Sequence, residues 1–234
     1  MAIVSVGALA LAIAIIVLNQ KPAASGNKLL TPPVTYAGAV VKDESLGSPT
    51  APVVLAVYSD FQCPFCGQFV REQFATLKTQ FVDTGILRIE AHDIDIVGRG
   101  SPNESVELAT GARCAAAQGR YWTFHDYVFW NQLTENSGGN TSEYIASIAS
   151  ASGVNMTAWN ECVGGSAARA AVIQETNASK QLGVSSTPSI SLNGEKPVAG
   201  VPSASTLADR IRALAAAAAA SPSSSVVPSA SAAP

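Results

Sequence analysis

The motif Cys63-Pro64-Phe65-Cys66 constrains this chain more than any other feature of its sequence. Residues 52–58 before it form an apolar, β-branched run that is typical of a buried strand. After it, apolar residues recur at steps of four, three and four, which predicts a helix with one buried face. Those residues are Val70, Phe74, Leu77 and Phe81. The motif therefore lies where a strand passes into a helix.

This position gives Cys63 a physical reason to be reactive. Pro64 suits the first helical position, because it has no N–H to lose there and its φ is already helical. Cys63 then lies at the helix N-terminus, where unpaired backbone N–H groups and the macrodipole favour a thiolate. We therefore expect Cys63 to be a nucleophile that forms a reversible disulfide with Cys66.

The chain has four cysteines, one close pair and one distant pair formed by Cys114 and Cys162. This spacing suggests one working disulfide and one structural disulfide, and structural disulfides persist mainly outside the cytoplasm. Two alternatives remain open at this stage. In the first, Cys114 and Cys162 are buried free thiols. In the second, all four cysteines bind zinc as thiolates, although zinc sites usually have two close-spaced pairs.

The two ends of the chain differ from its middle. Residues 2–18 carry no charge, which predicts a membrane anchor or a signal segment over residues 1–18. Residues 19–48 are rich in Pro, Gly and Ala and predict a flexible linker with a short edge strand near residues 36–41. Residues 220–234 are almost entirely Ser, Pro and Ala and predict a disordered tail. A formal net charge of −3 without a basic cluster argues against nucleic acid as a partner.

The middle of the chain, residues 49–219, reads as one α/β domain with a helical insert at about residues 102–165. A second strand is predicted at 86–96, and helices at 104–118, 120–132, 141–152, 157–163 and 166–182. Strands at 189–192 and 196–199 flank Asn193-Gly194, a strong hairpin signal, and a last helix follows Ser203.

Several segments together resemble the DsbA-like thiol–disulfide oxidoreductases. They are residues 59–66, Phe124-His125-Asp126, residues 183–188 and Asn193-Gly194. The resemblance implies a thioredoxin-like sheet with an inserted helical subdomain. It also implies a cis bond before Pro188, with Thr187 and Pro188 beside the cysteines and Pro64 and Phe65 supporting them. No metal and no cofactor other than the Cys63–Cys66 disulfide is expected.

The resemblance further implies an enzyme that oxidises cysteine pairs in exported proteins and is itself re-oxidised by a quinone-linked membrane protein. Strongly oxidising relatives carry His where this chain has Phe65. We therefore predict a Cys63 pKa below the free-thiol value of about 8.5 but above about 3.5. A reductase of the same fold is one alternative, and a non-enzymatic binding module or holdase is another.

The two histidines are expected to be structural: His125 in packing or capping, His92 near the end of the second strand. The surrounding aromatic residues are expected to form the core of the insert. A further use, in which part of this cluster lines an apolar groove near Phe65, stays open. The cluster consists of Tyr121, Trp122, Phe124, Tyr127, Phe129 and Trp130.

Overall fold

The computed structural model describes residues 28–220. The strands are β1 Val41–Lys42, β2 Ser45–Leu46, β3 Val53–Ser59, β4 Leu87–Asp93, β5 Ser189–Leu192 and β6 Val198–Ala199. They form one sheet in the order β1-β2-β4-β3-β5-β6. Strands β3 and β4 are parallel, and the other neighbouring pairs are antiparallel.

The helix after the cysteine motif, α1, runs through four consecutive segments, of which the second and fourth are π-helical. They are Pro64–Phe69, Val70–Phe74, Ala75–Leu77 and Lys78–Val82. The later helices are α2 Glu104–Ala116, α3 Tyr121–Trp130, α4 Ser142–Ala151, α5 Met156–Gly164, α6 Ala167–Gln181 and α7 Ala204–Ala220. These bounds agree with the predicted helices to within about two residues.

Helix α1 connects the two parallel strands, a connection that such a pair requires. Its predicted apolar face is buried against β3 and β4, where Leu55, Leu87 and Ile89 are fully covered. The face consists of Val70, Phe74, Leu77 and Phe81, all buried. The α/β class, the thioredoxin-like sheet and the helical insert, α2 to α5, are thus confirmed.

The second strand is shorter than predicted, because β4 ends at Asp93 rather than at residue 96. The backbone N–H groups of Ile96 and Val97 donate to the buried Asp60 carboxylate at 2.9 and 2.8 Å. A hydrogen bond made to a side chain cannot also be made to a neighbouring strand. The chain therefore leaves the sheet three residues before the predicted end of the strand.

The predicted hairpin after Pro188 is present. Asn193 and Gly194 both take positive φ, of 49° and 76°, as a tight hairpin turn requires. Its second strand is reduced to Val198–Ala199, because Pro197 has no N–H with which to continue the ladder.

The predicted flexible linker is wrong for residues 28–48. Strands β1 and β2 extend the sheet next to β4, and Leu46 is fully buried. The Tyr36 hydroxyl donates to Asp126 at 2.7 Å, and the Leu30 N–H donates to Asn131 at 2.7 Å. Strands of two residues show no alternating pattern, so their bounds could not be predicted from the sequence. The edge strand expected near 36–41 lies at residues 41–42.

The predicted anchor or signal over residues 1–18 lies outside the described residues. So does the predicted tail, apart from Ala220, which ends α7. Within residues 28–220, none of the helices has both the length and the apolar character that crossing a membrane requires.

Candidate active site

The turn between β3 and α1 holds the cysteine motif. Cys63 occupies the N-cap position of α1 with an extended backbone, φ −68° and ψ 118°, and Pro64 follows within the first helical turn. The Cys63 N–H donates to the carbonyl oxygen of Asp60 at 2.9 Å, and the N–H of Gly67 donates to the carbonyl oxygen of Cys63 at 3.2 Å. The structure thus places Cys63 at the helix N-terminus.

Cys63 and Cys66 are both free thiols, but they differ in access. Cys63 is 4% exposed and Cys66 is fully buried. The Cys63 thiol donates to the carbonyl oxygen of Thr187 at 3.2 Å, so it faces the loop that carries Pro188. Of this pair, only Cys63 can be reached by a thiol of another protein.

The surroundings of Cys63 favour its thiolate. Its pKa is lowered from 9.0 to about 6, mainly by a hydrogen bond from the Cys66 thiol, against the opposing effect of burial. The Thr187 side chain and the backbone N–H groups of Phe65 and Cys66 lower it further. This pKa lies inside the interval that the sequence predicts.

Cys66 behaves in the opposite way. Burial raises the pKa of its thiol well above the usual value, and the neighbouring Cys63 raises it further. Hydrogen bonds from the Ser59 side chain and the Asp60 backbone offset this only in part. At neutral pH the pair therefore consists of one ionised sulfur and one protonated sulfur.

The Thr187–Pro188 peptide bond is cis, as is Ser101–Pro102. An open groove of about 350 Å³ adjoins the Thr187–Pro188 loop. Its lining includes Phe65, Phe69, Thr187, Pro188, Gly200 and Val201. Phe65 is 68% exposed, which is unusual for a large apolar side chain and gives this groove an apolar edge next to the thiols.

The turn also depends on residues to which sequence reasoning assigned no role. The fully buried Asp60 accepts hydrogen bonds from the Gln62 N–H at 2.9 Å and the Ser105 hydroxyl at 2.7 Å, besides those from the 96–97 loop. Burial raises the pKa of Asp60, and these donors lower it in part. Asp commonly forms turns just after a strand, so the bond between Asp60 and the Gln62 N–H could have been predicted from the local sequence. The bonds of Asp60 to Ser105 and to the 96–97 loop could not, because these partners are distant along the chain.

The second cysteine pair lies in the helical insert. A disulfide joins Cys114 on α2 to Cys162 on α5, with 5.7 Å between the Cα atoms. The alternative of two free thiols is therefore wrong, and these sulfurs are not available to a zinc ion. Among residues 28–220, no cluster of three or more His, Cys, Asp or Glu side chains is arranged to hold a metal.

His125 is a packing residue, as predicted. It is buried, and its Nδ1 pairs with Asp126 at 2.9 Å. Aromatic rings surround it at centroid distances of 4.9–5.9 Å, those of Phe61, Phe74, Tyr121, Trp122 and Phe129. His92, half-buried on β4, pairs with Glu175 of α6 at 2.6 Å.

The aromatic cluster of the insert forms its core. Tyr121, Trp122, Phe124 and Phe129 are all buried. None of the cluster lines the groove beside Phe65, so the suggestion that it does so is wrong. Residues of α1 and the loops around β6 supply that lining instead.

Comparison with known proteins gives consistent results. A family model described as thioredoxin matches residues 40–211. The probable disulfide bond formation protein D of Bacillus cereus is 23% identical over 154 residues, which cover 64% of this chain and 70% of that protein. The disulfide bond formation protein D of Bacillus subtilis is 23% identical over 149 residues, 63% of this chain and 66% of that protein.

Solved structures agree in fold. Oxidised BdbD from Bacillus subtilis superposes with a TM-score of 0.66 at 18% identity, covering 81% of this chain and all of that one. Wolbachia pipientis alpha-DsbA1 superposes with a TM-score of 0.64 at 20% identity, covering 76% of this chain and 92% of that one.

Proposed function

The chain belongs to the thioredoxin family, in its DsbA-like branch, and is a protein-disulfide oxidoreductase; on this premise we propose that it oxidises cysteine pairs in exported proteins on the extracytoplasmic side of a membrane. One observation supports this direction most strongly. The Cys63 sulfur lies at the N-terminus of α1 with a pKa lowered to about 6. Stabilising this thiolate stabilises the reduced enzyme, which therefore takes electrons from its substrates.

The reaction begins with Cys63 and Cys66 joined as a disulfide. A substrate thiolate enters beside Thr187 and attacks the Cys63 sulfur, which forms a mixed disulfide and breaks the Cys63–Cys66 bond. Cys66 leaves as a thiolate and takes up a proton, because burial raises the pKa of its thiol.

A second substrate thiolate then attacks the substrate sulfur of the mixed disulfide. Cys63 leaves as a thiolate, which its low pKa makes a good leaving group. The substrate has lost two electrons and gained a disulfide, and the enzyme has gained both electrons as a dithiol. We propose that a quinone-linked membrane protein removes these electrons and restores the disulfide.

A reductase of the same fold is the second candidate, and Phe65 favours it. An apolar side chain at this position adds no charge or dipole that would stabilise the thiolate further. The reduction potential, measured by equilibration with glutathione, separates the two directions. A potential well above about −200 mV supports an oxidase, and one near thioredoxin's value of about −270 mV overturns that direction in favour of a reductase.

A non-enzymatic binding module is tested by trapping. Replacing Cys66 by Ala removes the resolving thiol, so reduced Cys63 should accumulate mixed disulfides with exported proteins that carry disulfides. The matched control, Cys63→Ala with Cys66 intact, should trap nothing because Cys66 is fully buried. Equal recovery of non-covalent partners by both variants, without mixed disulfides, would support a holdase.

We propose that residues 1–18 attach the enzyme to the membrane. Support comes from the uncharged run at residues 2–18. The test compares alkaline carbonate extraction of membranes that contain the full chain or a variant lacking residues 1–18. The full chain should stay in the pellet and the shortened chain should not, and release of both would overturn the anchor.

A further inference from the structure

The helical insert contacts the active-site turn through polar side chains. Ser105, at the start of α2, donates to Asp60, and the Gln62 side chain donates to Ser105 at 2.8 Å and accepts from the Asn136 N–H at 2.7 Å. The active-site turn consists of residues 60–63, and these bonds hold Asp60 and Gln62. The other two residues, Phe61 and Cys63, are held by a different side chain.

Gln132, two residues beyond the end of α3, holds both of them. Its Nε2 donates to the carbonyl oxygen of Phe61 at 2.9 Å and to that of Cys63 at 2.9 Å. A glutamine amide has two hydrogens, and both are used here. The orientation of the amide is fixed by its partners, because rotating it by 180° would set its oxygen against two carbonyl oxygens.

The first turn of α1 is shaped to receive this amide. A Cβ atom at Gly67 would lie 2.3 Å from Gln132 Oε1 and 2.7 Å from Arg71 Nη1. Gly67 directly follows Cys66, so only a residue without a side chain lets the carboxamide approach the motif this closely. Arg71 in turn donates to the carbonyl oxygen of Phe129 at 2.6 Å, which ties α1 to α3 beside the same contact.

This arrangement has a consequence for the reactive sulfur. The carbonyl oxygen of Cys63 accepts both from Gly67 at the start of the helix and from Gln132. Two donors at one oxygen fix the Cys63 peptide in its extended N-cap conformation. In that conformation its sulfur faces the N–H groups of Phe65 and Cys66 and the carbonyl oxygen of Thr187.

We propose that Gln132 is a positioning residue for thiol–disulfide exchange, whose carboxamide fixes the carbonyl groups of Phe61 and Cys63 and so keeps the Cys63 sulfur at the helix N-terminus. Gln132 contacts no reacting atom and acts through Cys63. The inference rests on the proposed exchange at Cys63, but it holds for oxidation and reduction alike.

The test compares Gln132→Met, which keeps the length of the side chain and loses both donors, with Gln118→Met as a matched control. The Gln118 side chain also bonds backbone groups, the carbonyl oxygen and N–H of Asn155, but within the insert. The reduced full-length proteins are compared by the ultraviolet absorbance of the thiolate against pH, by the rate of iodoacetamide alkylation, and by thermal unfolding.

Gln132→Met should raise the midpoint of the Cys63 titration by about one pH unit, which lowers the alkylation rate below about pH 6 roughly tenfold. Gln132→Glu should raise it further, because a carboxylate near the thiolate opposes ionisation. Gln118→Met should lower only the melting temperature. A Gln132→Met protein that also loses only melting temperature would overturn the proposal.

Gly67→Ala tests the same contact from the other side and covers the case in which Gln132 variants do not fold. Its methyl group should displace the carboxamide and raise the titration midpoint in the same direction. An unchanged midpoint in folded Gly67→Ala protein would also overturn the proposal. None of these readouts depends on the direction of electron flow, so a reduction potential typical of a reductase would refute the proposed function and leave the role of Gln132 intact.

Discussion

The two cysteine pairs of this chain can both form disulfides, but they differ in sequence separation, burial and position relative to helix termini. Cys63 and Cys66 are separated by two residues at the N-terminus of a helix, and Cys63 is 4% exposed whereas Cys66 is fully buried. Cys114 and Cys162 lie 48 residues apart on two helices of the insert and are joined as a disulfide. Reactivity therefore comes from the position of a sulfur relative to helix termini and solvent, and not from the presence of a cysteine pair.

The thioredoxin-like sheet and the helical insert contribute differently to the active site. The thioredoxin-like sheet presents the reactive pair between α1 and the Pro188 loop. The insert contains the Cys114–Cys162 disulfide. Its residues Ser105, Gln132 and Asn136 form hydrogen bonds to the turn that carries Cys63. The insert thus stabilises the active-site turn without lining the groove beside Phe65.

The largest effect is expected from Cys63→Ser. Because Cys63 is the sulfur that another protein can reach, thiol–disulfide exchange should fall to the uncatalysed rate. The measurement is the refolding of a reduced disulfide protein, monitored by its regained activity. Exchange that continues in this variant would mean that Cys66 is reached directly, contrary to its burial.

The second-largest effect is expected from removing the Cys114–Cys162 disulfide, and it should lower the stability of the protein without lowering its activity. Replacing both Cys114 and Cys162 by Ala removes the cross-link without leaving a stray thiol. The entropic model predicts a loss of about 4 kcal/mol in the free energy of unfolding for a loop of this length. Urea unfolding measures it, and turnover below the melting transition should be retained. Lost turnover at unchanged stability would make this pair a redox relay.

The third effect is the pH dependence of stability in the reduced protein. The pKa of Cys63 is lower in the folded protein than in the unfolded chain, so folding releases a proton at intermediate pH. The contribution of Cys63 to the free energy of unfolding should therefore rise as the pH rises from about 6 to about 8, by up to about 1.4 kcal/mol per unit, and this contribution is lost as the pH falls through 6.

The oxidised protein is the matched control for this slope. Its sulfurs cannot titrate, so the rise should be missing when urea unfolding is repeated without reductant. Both redox forms carry Cys114→Ala and Cys162→Ala, because reductant would open that disulfide in the unfolded chain and add two titrating thiols. Equal slopes in both redox forms would trace the dependence to another group.

The smallest effect is expected from Phe65→His. A protonated imidazole beside the thiolate should lower the pKa of Cys63 by about one unit. One pKa unit corresponds to about 30 mV for this two-electron couple, so the reduction potential should become more positive by that amount. Because Phe65 is exposed, stability should change little. Ile173→His, at an exposed site on α6, should leave the potential unchanged.

The local sequence predicted the reactive half of the molecule well. The apolar run before the motif and the stepped apolar residues after it correspond to β3 and α1, and Pro64 marks the helix start. These features depend on residues that are neighbours along the chain. Propensity and periodicity report such short-range order, so they placed Cys63 correctly at a helix N-terminus.

The parts that the sequence did not predict are those that depend on distant partners. Apart from a short edge strand near residues 36–41, the sequence predicts only a flexible linker up to residue 48, yet residues 28–48 extend the sheet and pack Leu46 into the core. Strand β4 ends early because the Asp60 carboxylate takes N–H groups from the 96–97 loop. A single polar residue carries no signal of the backbone group that it will meet across the fold.

The sequence by itself therefore determined that this chain carries a cysteine pair between a strand and a helix, because strand and helix periods and the fixed φ of proline are local properties. Only the tertiary structure decided which sulfur is accessible, how far each pKa moves, and that Gln132 reaches Cys63 across 69 residues. Burial and hydrogen bonding depend on what packs against a group, and that is known only once the chain has folded.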